Sequence, residues 1–121
     1  MIRRALILFG LGCMATSMRA QDILGIAQAI SVLEGFGDPQ SLCARLNNPG
    51  CLSYAKQPGA RPGALGYAEF AKASDGWEAL LNDLRAKCRR GMTVSDIIDA
   101  WTVHPEARKR YRREFKRRGL L

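Results

Sequence analysis

The feature that most constrains this chain is a segment rich in proline and glycine, residues 38–66, which separates two stretches of helical periodicity. The segment holds four of the five prolines of the chain and four of its twelve glycines. Both residue types disfavour a helix interior, so the segment predicts turns and short strands. At 121 residues the chain has the length of about one domain. We therefore expect a mainly α fold with a short β-hairpin after the first helix.

Apolar residues at helical spacing predict four helices, over residues 23–33, 75–90, 94–101 and 106–118. The residues predicted to cap or end these helices are Asp22, Gly35, Gly37, Ser74 or Asp75, Gly91, Thr93, Pro105 and Gly119. Trp77 and Trp101 fall on apolar stripes, so we expect both in the core. Within the middle segment, residues 52–55 and 65–70 predict two strands around the loop 57–64. The Asn-Pro-Gly sequence at 48–50 predicts a tight turn.

Residues 1–20 have the order of a secretory signal peptide. Two arginines precede an uncharged apolar run at 5–13, which is too short to span a membrane, and small and polar residues follow. Cleavage after Ala20 is favoured, with cleavage after Ser17 as the alternative. We expect an exported protein, either periplasmic or secreted. The other interpretations are a first core helix and a lipoprotein attached through Cys13.

The cysteines predict one disulfide. Removal of residues 1–20 leaves three cysteines, and cysteines of exported proteins tend to pair. Cys43 and Cys51 bracket a short loop, and a bridge between them contributes about 2–3 kcal/mol by the chain-entropy estimate. Cys88 is then the odd one out, and on the apolar stripe of its helix it is expected to be a buried small apolar residue and not a reactive thiol. Since there is no CxxC motif and the one histidine, His104, is distant, neither a metal site nor a cofactor is predicted.

The net charge of +8 is unevenly distributed along the chain. Residues 1–20 contribute +3, residues 105–121 contribute +6, and residues 21–104 sum to −1. We expect residues 21–104 to form the domain and 105–121 to form a basic helix that packs on it. Since the domain is not basic, nucleic acid is not an expected partner, whereas the helix suits an anionic envelope surface. Its basic residues are Arg108, Lys109, Arg110, Arg112, Arg113, Lys116, Arg117 and Arg118.

One acidic residue, Glu34, falls on the apolar face of its own helix. The residues 4, 7 and 11 positions earlier are Ile30, Ala27 and Ile23. Partial burial and the negative end of the helix dipole both raise the expected pKa of this carboxyl group. A carboxyl group that keeps its proton is what general acid catalysis at a glycosidic oxygen requires. The alternative is that the helix frays and Glu34 points into water.

Five short motifs occur in order along the chain: AISVLEGFG at 29–37, LNNPG at 46–50, GYAEFA at 66–71, SDGW at 74–77 and GMT at 91–93. Their order and spacing resemble a family of small bacterial and phage proteins with a lysozyme-like, lytic-transglycosylase-like fold. The resemblance covers about residues 23–118. It implies a lysozyme-like helical domain that acts on the glycan strand of peptidoglycan.

The resemblance also implies roles for individual residues. Glu34 matches the helix-ending Glu, which is the general acid in lysozyme-like folds. Three residues, Asn47, Asn48 and Gly50, match the turn that faces the cleft, and Tyr67 and Phe70 fall near the hairpin positions that line it. Tyr54 lies in the same irregular segment and is a candidate for stacking on a sugar ring. Cys51 stands where the family usually has Asn or Asp.

The reaction that this pattern favours needs a single carboxylate. Glu34 would protonate the oxygen between N-acetylmuramic acid and N-acetylglucosamine and then, as a base, promote attack by a muramyl hydroxyl. A clear second carboxylate is lacking, which favours lytic transglycosylation over hydrolysis, although Glu69 or Asp75 could fold close to Glu34. The alternative is a non-catalytic envelope or phage-derived protein that binds glycan with the same fold. We expect a monomer.

Overall fold

The computed structural model describes residues 20–121. Residues 1–19 of the predicted signal peptide, which include Cys13, lie outside the described residues. The helices are α1 (Ala20–Leu33), α2 (Leu42–Arg45), α3 (Ala73–Arg89), α4 (Val94–Trp101) and α5 (Pro105–Arg117), and the strands are β1 (Ala60–Pro62) and β2 (Ala68–Phe70). The mainly helical class with a small antiparallel hairpin is therefore confirmed. Among the described residues, no helix is both long and apolar enough to cross a membrane.

Packing divides the described chain into two compact units, residues 26–83 and residues 20–25 with 84–121. The core of the first unit contains Ile26, Ala27, Ala29, Ile30, Cys43, Leu46, Ala68, Phe70, Ala79 and Leu80. The core of the second contains Ile23, Leu84, Cys88, Ile97, Ile98, Tyr111 and Phe115. Within the second unit, α5 buries its aromatic residues Tyr111 and Phe115, and the boundary between residues 104 and 105 stays a prediction.

The helix termini follow the capping signals of the sequence closely. Thr93 caps α4 through a capping box, in which its hydroxyl accepts from the Asp96 amide and the Asp96 carboxylate accepts from the Thr93 amide. Pro105 occupies the first turn of α5, and Gly91 and Gly119 have the positive φ predicted for helix ends. The starts of α1 and α3 lie earlier than predicted, so that Asp22 falls within the first turn of α1.

A short helix, α2, was not predicted. Ser41 caps it by accepting a hydrogen bond from the Ala44 amide at 3.2 Å. One turn of helix is too short to produce a hydrophobic period, although Ser41 is a favoured N-cap residue. The element positions Cys43 within the first unit.

The first predicted strand, residues 52–55, is wrong. Only Ser53 pairs there, in an isolated bridge with Tyr67. The chain turns at Lys56 and Gly59, which both have positive φ, so that Ala60–Pro62 pairs with Ala68–Phe70 instead. The predicted strand at 65–70 is shortened to Ala68–Phe70 because Ala64–Gly66 forms a 3-10 turn with Leu65 at φ 57°.

Candidate active site

Glu34 is the C-cap residue of α1. The amide of Phe36 donates to the Ser31 carbonyl at 2.9 Å and the amide of Gly35 donates to the Val32 carbonyl at 3.1 Å, with Gly35 at φ 79°. These two bonds and the left-handed glycine form a Schellman motif, which closes the helix end. The backbone of Glu34 is therefore fixed, and the frayed helix end considered above does not describe the structure.

The Glu34 side chain lies beside a disulfide bond. Cys43 at the start of α2 is bonded to Cys51 just after the tight turn, which confirms the predicted pair. A carboxylate oxygen of Glu34 and the two sulfur atoms lie within 4.8 Å of one another, and Glu34 is half-buried. The bridge thus ties α2 and the turn together at the carboxyl group on which the predicted chemistry depends.

These three residues are also the one group of His, Cys, Asp or Glu within the described residues that has the spacing of a metal site. Metal binding by cysteine requires a free thiolate. Since the two sulfur atoms are bonded to each other, Glu34 is left as the only available ligand, and the oxidised protein does not offer a metal centre here.

The burial expected of Cys88 is confirmed, whereas its place as the one unpaired cysteine is wrong. Cys88 is fully buried and is disulfide-bonded, and no free cysteine is present in the described part of the chain. Its position on the apolar stripe of α3 did predict the burial. Sequence spacing carried no signal for the bond.

Two residues of the predicted substrate-facing turn are directed inward. Asn48 is 0 % exposed, and its side-chain amide donates to the Leu52 and Ala68 carbonyls while its oxygen accepts from the Leu52 amide. Gly50 is buried as well, and a Cβ there would lie 2.7 Å from a Leu80 methyl carbon. The predicted contact of Asn48 and Gly50 with a substrate is therefore replaced by a role in joining the turn to β2 and α3.

Asn47 and Phe70 are joined by a hydrogen bond. The Asn47 amide group donates to the Phe70 carbonyl at 2.9 Å, and Asn47 has φ 56°. Phe70 is only 1 % exposed and packs with Ala68 and Ala79. Phe70 is thus a core residue and not the cleft residue that was predicted, while Asn47 remains partly exposed.

Tyr54 and Tyr67 are both half-buried. Tyr54 packs against the cluster that contains Ala68 and Phe70, and its amide donates to the Gly66 carbonyl. Tyr67 takes part in the bridge with Ser53. The Tyr54 ring therefore packs on the hairpin, and both tyrosines keep some exposed area, so sugar stacking remains a prediction for them.

Left-handed backbone conformations of non-glycine residues occur only in the middle segment of the described chain. Four non-glycine residues in the described chain have a left-handed φ, and all lie between residues 47 and 65: Asn47, Cys51, Lys56 and Leu65. Each such conformation costs about 1–2 kcal/mol for an ordinary L-residue. Strain of this kind tends to collect at functional sites, and here it includes Cys51, whose sulfur lies within 4.8 Å of a Glu34 carboxylate oxygen.

The sequence reasoning missed an aromatic pair that includes Phe36, two residues after Glu34 in the chain. Phe36 and Trp77 make an edge-to-face contact with ring centroids 5.7 Å apart, and both rings are half-buried. Trp77 was predicted to lie in the core, as was Trp101, which is also half-buried and carries Lys87 over its ring at 5.1 Å. Phe36 and Trp77 occur in the motifs at 29–37 and 74–77, and this shared membership was the only signal in the sequence that the two rings lie close together.

The other acidic residues of this unit have different surroundings. Asp38 is exposed and accepts from the Gln40 amide, and Glu69 pairs with Arg61 at 3.1 Å. Asp75 and Glu78 line a shallow cleft of about 160 Å³ with Pro58, Gly59, Ala79 and Asn82. Among the described residues, none of these carboxylates joins the group of Glu34 and the two sulfurs.

The chain matches no protein-family model, no curated protein and no solved structure. The resemblance to the lysozyme-like family therefore depends on the five short motifs between residues 29 and 93.

Proposed function

We propose that this protein cleaves the glycan strand of peptidoglycan and that Glu34 is its general acid and base. The observation that carries the proposal is the position of Glu34: a half-buried residue on a closed helix terminus, with a carboxylate oxygen within 4.8 Å of the sulfurs of the Cys43–Cys51 bridge. General acid catalysis requires a group held within hydrogen-bond reach of the leaving oxygen. A side chain on a helix cap, braced by a disulfide, meets the need for a rigid support.

In the proposed reaction, the Glu34 proton passes to the glycosidic oxygen as the bond from that oxygen to C1 of N-acetylmuramic acid breaks. An oxocarbenium-like centre develops at C1. The muramyl hydroxyl of the same sugar then attacks C1 and returns a proton to Glu34, so that no water is consumed and the product has an anhydro end. This form of the reaction is favoured because the described carboxylates Asp38, Glu69 and Asp75 have other surroundings.

Substrate contacts are proposed for the exposed parts of Asn47, Tyr54 and Tyr67, and for Phe36 and Trp77. Aromatic faces provide apolar area with a defined orientation, which suits the flat faces of sugar rings. The inward residues Asn48, Gly50 and Phe70 support this surface from behind and are not assigned a contact.

The experiment is lysis of purified sacculi by the full chain and by Glu34→Gln, followed as loss of turbidity. Glu34→Gln keeps the size of the side chain and removes the transferable proton, so the rate is expected to fall by at least about 100-fold. Glu78→Gln is the matched control, since it changes the same residue type on the exposed side of α3 and should leave the rate unchanged. Equal lysis by wild type and Glu34→Gln contradicts the role of Glu34.

A second candidate is a non-catalytic glycan-binding protein. The observation in its favour is that the groups around Glu34 are the sulfurs of a disulfide and that Asn48 is fully used within the fold. A protein of this kind would sediment with sacculi without dissolving them. Binding by wild type and by Glu34→Gln, with no lysis by either, would favour this function.

A further inference from the structure

The exposed face of α5 carries a row of cations. Lys109, Arg110, Arg113, Lys116 and Arg117 recur at spacings of one, three or four residues, and all five side chains are exposed. They define the basic stripe of this protein. Because a helix rises 1.5 Å per residue, the stripe is about 12 Å long.

The opposite face of α5 is used for packing. Tyr111 and Phe115 are buried, and their rings stack with centroids 6.3 Å apart. An amphipathic helix that inserts into a bilayer must offer a free apolar face. Since this face is occupied within the unit, α5 can act on a partner only through its charged side.

The remaining arginines of α5 serve the fold and not the stripe. Arg108 and Arg112 pair with Asp99 of α4 at 3.2 and 3.6 Å, and Arg112 also donates to the Ser95 hydroxyl at 2.7 Å. These contacts fix the orientation of α5 on α4. They also separate the basic residues that hold the helix from those that are presented outward.

Among the described residues, part of the stripe has no ion-pair partner. Lys109 lies 3.8 Å from Glu106, and Arg117 pairs with Glu114. Within residues 20–121, neither Arg113 nor Lys116 is in an ion pair with another side chain. Residues 84–121 hold twelve basic and four acidic side chains, so the surroundings reinforce the potential of the stripe.

Exposed apolar residues flank the helix at both ends. Val103, two residues before α5, is 83 % exposed, and Leu121, four residues after it, is 42 % exposed. A phosphate backbone has no apolar surface on which such side chains could pack. The headgroup region of a bilayer, by contrast, accepts both cations and small apolar groups. The combination therefore favours a lipid surface over a soluble polyanion.

We propose that the basic stripe docks this protein on a bilayer that contains anionic phospholipids. The contact is peripheral and electrostatic, with Val103 and Leu121 entering the headgroup region. It does not depend on the proposed role of Glu34. The stripe residues Lys109, Arg113 and Lys116 contact the lipid phosphates. Arg108 and Arg112, through their ion pairs with Asp99, hold α5 on α4.

The test is cosedimentation of the full chain with vesicles of phosphatidylcholine, with and without phosphatidylglycerol. Binding is expected only with phosphatidylglycerol, and it should be lost between about 0.1 and 1 M salt, as the screening length falls from about 10 to 3 Å. The variant Lys109→Gln/Arg113→Gln/Lys116→Gln should bind about 100-fold more weakly, at about fivefold for each cation near an anionic surface.

The matched control is Arg45→Gln/Lys56→Gln/Lys72→Gln, which removes the same charge from exposed positions of the other unit. It should retain nearly all binding, and circular dichroism verifies that both variants fold. Three results would overturn the proposal: equal binding to neutral vesicles, an equal loss in the control, or tighter binding to duplex DNA than to vesicles at equal phosphate concentration.

Discussion

Gly76 illustrates how closely single residues fit in the unit formed by residues 26–83. It lies in the first turns of α3, where a Cβ would meet the Asn47 carbonyl oxygen and would lie 2.8 Å from a Pro49 ring carbon. Both obstacles belong to the 46–51 turn, which cannot move without disturbing the Cys43–Cys51 bridge. The glycine of the SDGW motif is therefore required for the approach of α3 to this turn.

We predict that Gly76→Ala destabilises the protein by about 3 kcal/mol, because the backbone must shift to admit the methyl group. Urea unfolding followed by circular dichroism measures this change. Gly37→Ala is the control, since that glycine is exposed and has nothing within 4 Å of a Cβ, and it should change stability by less than about 0.5 kcal/mol. Equal stability of the Gly76→Ala variant and wild type would refute the close contact.

Asn48 shows at the same scale why a motif predicts a position better than it predicts a role. Its place in a tight turn was evident from the sequence, but its hydrogen bond to the Ala68 carbonyl spans 20 residues. Such long-range partners have no local signature, so a side chain that fills the core looks the same in the sequence as one that faces a ligand. The burial of Gly50 and Phe70 was hidden for the same reason.

Among the elements, helices were predicted well and strands poorly. Each long helix has its own apolar period and cap, and α4 and α5 begin where Thr93 and Pro105 predict. The hairpin strands have three residues each, too few for an alternating pattern, and their pairing depends on the left-handed turns at Lys56 and Leu65. A non-glycine residue with positive φ is not foreseeable from its identity alone.

The Cys43–Cys51 bridge is an element-scale feature with a measurable effect. It closes a loop across eight positions, so the chain-entropy estimate gives about 2–3 kcal/mol. The variant Cys43→Ala/Cys51→Ala should lose about this amount of unfolding free energy in urea under oxidising conditions. As urea is raised, this variant should also lose lytic activity at a lower concentration than the one at which it unfolds, because the bridge would no longer hold the surroundings of Glu34 in place. Unchanged stability would mean that the bridge constrains nothing.

The end of α5 makes a prediction about pH. Hydrogen bonds from Arg117 and Arg118 lower the pKa of Glu114 from 4.5 to about 2. A carboxylate whose pKa is depressed by folding stabilises the protein above the unfolded pKa, and this contribution is lost as the pH falls through the folded pKa. The stability difference between wild type and Glu114→Gln should thus be constant above pH about 4.5 and shrink between pH 4.5 and 2.

Thermal unfolding of both proteins at a series of pH values checks this prediction. Glu106→Gln is the control, because it removes the same charge from the same helix without touching Glu114. If Glu114→Gln follows the wild-type acid profile in parallel down to pH 2, the ion pairs at the end of α5 do not contribute to stability.

For the whole molecule, the balance of basic and acidic side chains differs between the two units. Residues 26–83 contain four basic and six acidic side chains, whereas residues 84–121 contain twelve and four. The sequence already indicated that the basic charge lies toward the end of the chain. The sequence did not indicate which cations form ion pairs with Asp99 and Glu114 and which face outward. That distinction depends on the packing of α5.

The two proposals place different activities on these units, glycan cleavage on the first and surface attachment on the second. They can fail independently, since the Glu34→Gln variant keeps the basic stripe and the stripe variant keeps Glu34. Loss of vesicle binding without loss of lysis of purified sacculi would support this assignment. Loss of both activities in the stripe variant would contradict it.

The central claim is that Glu34 transfers the proton in glycan cleavage, and mass spectrometry of the soluble muropeptides released from purified sacculi tests it most directly. Wild type is expected to release fragments with anhydro ends, and Glu34→Gln is expected to release none. Fragments with a hydrolysed end would be consistent with the role of Glu34 but would show that the reaction is hydrolysis and not transglycosylation. Release of the same fragments by Glu34→Gln, or no release by wild type, would contradict the account.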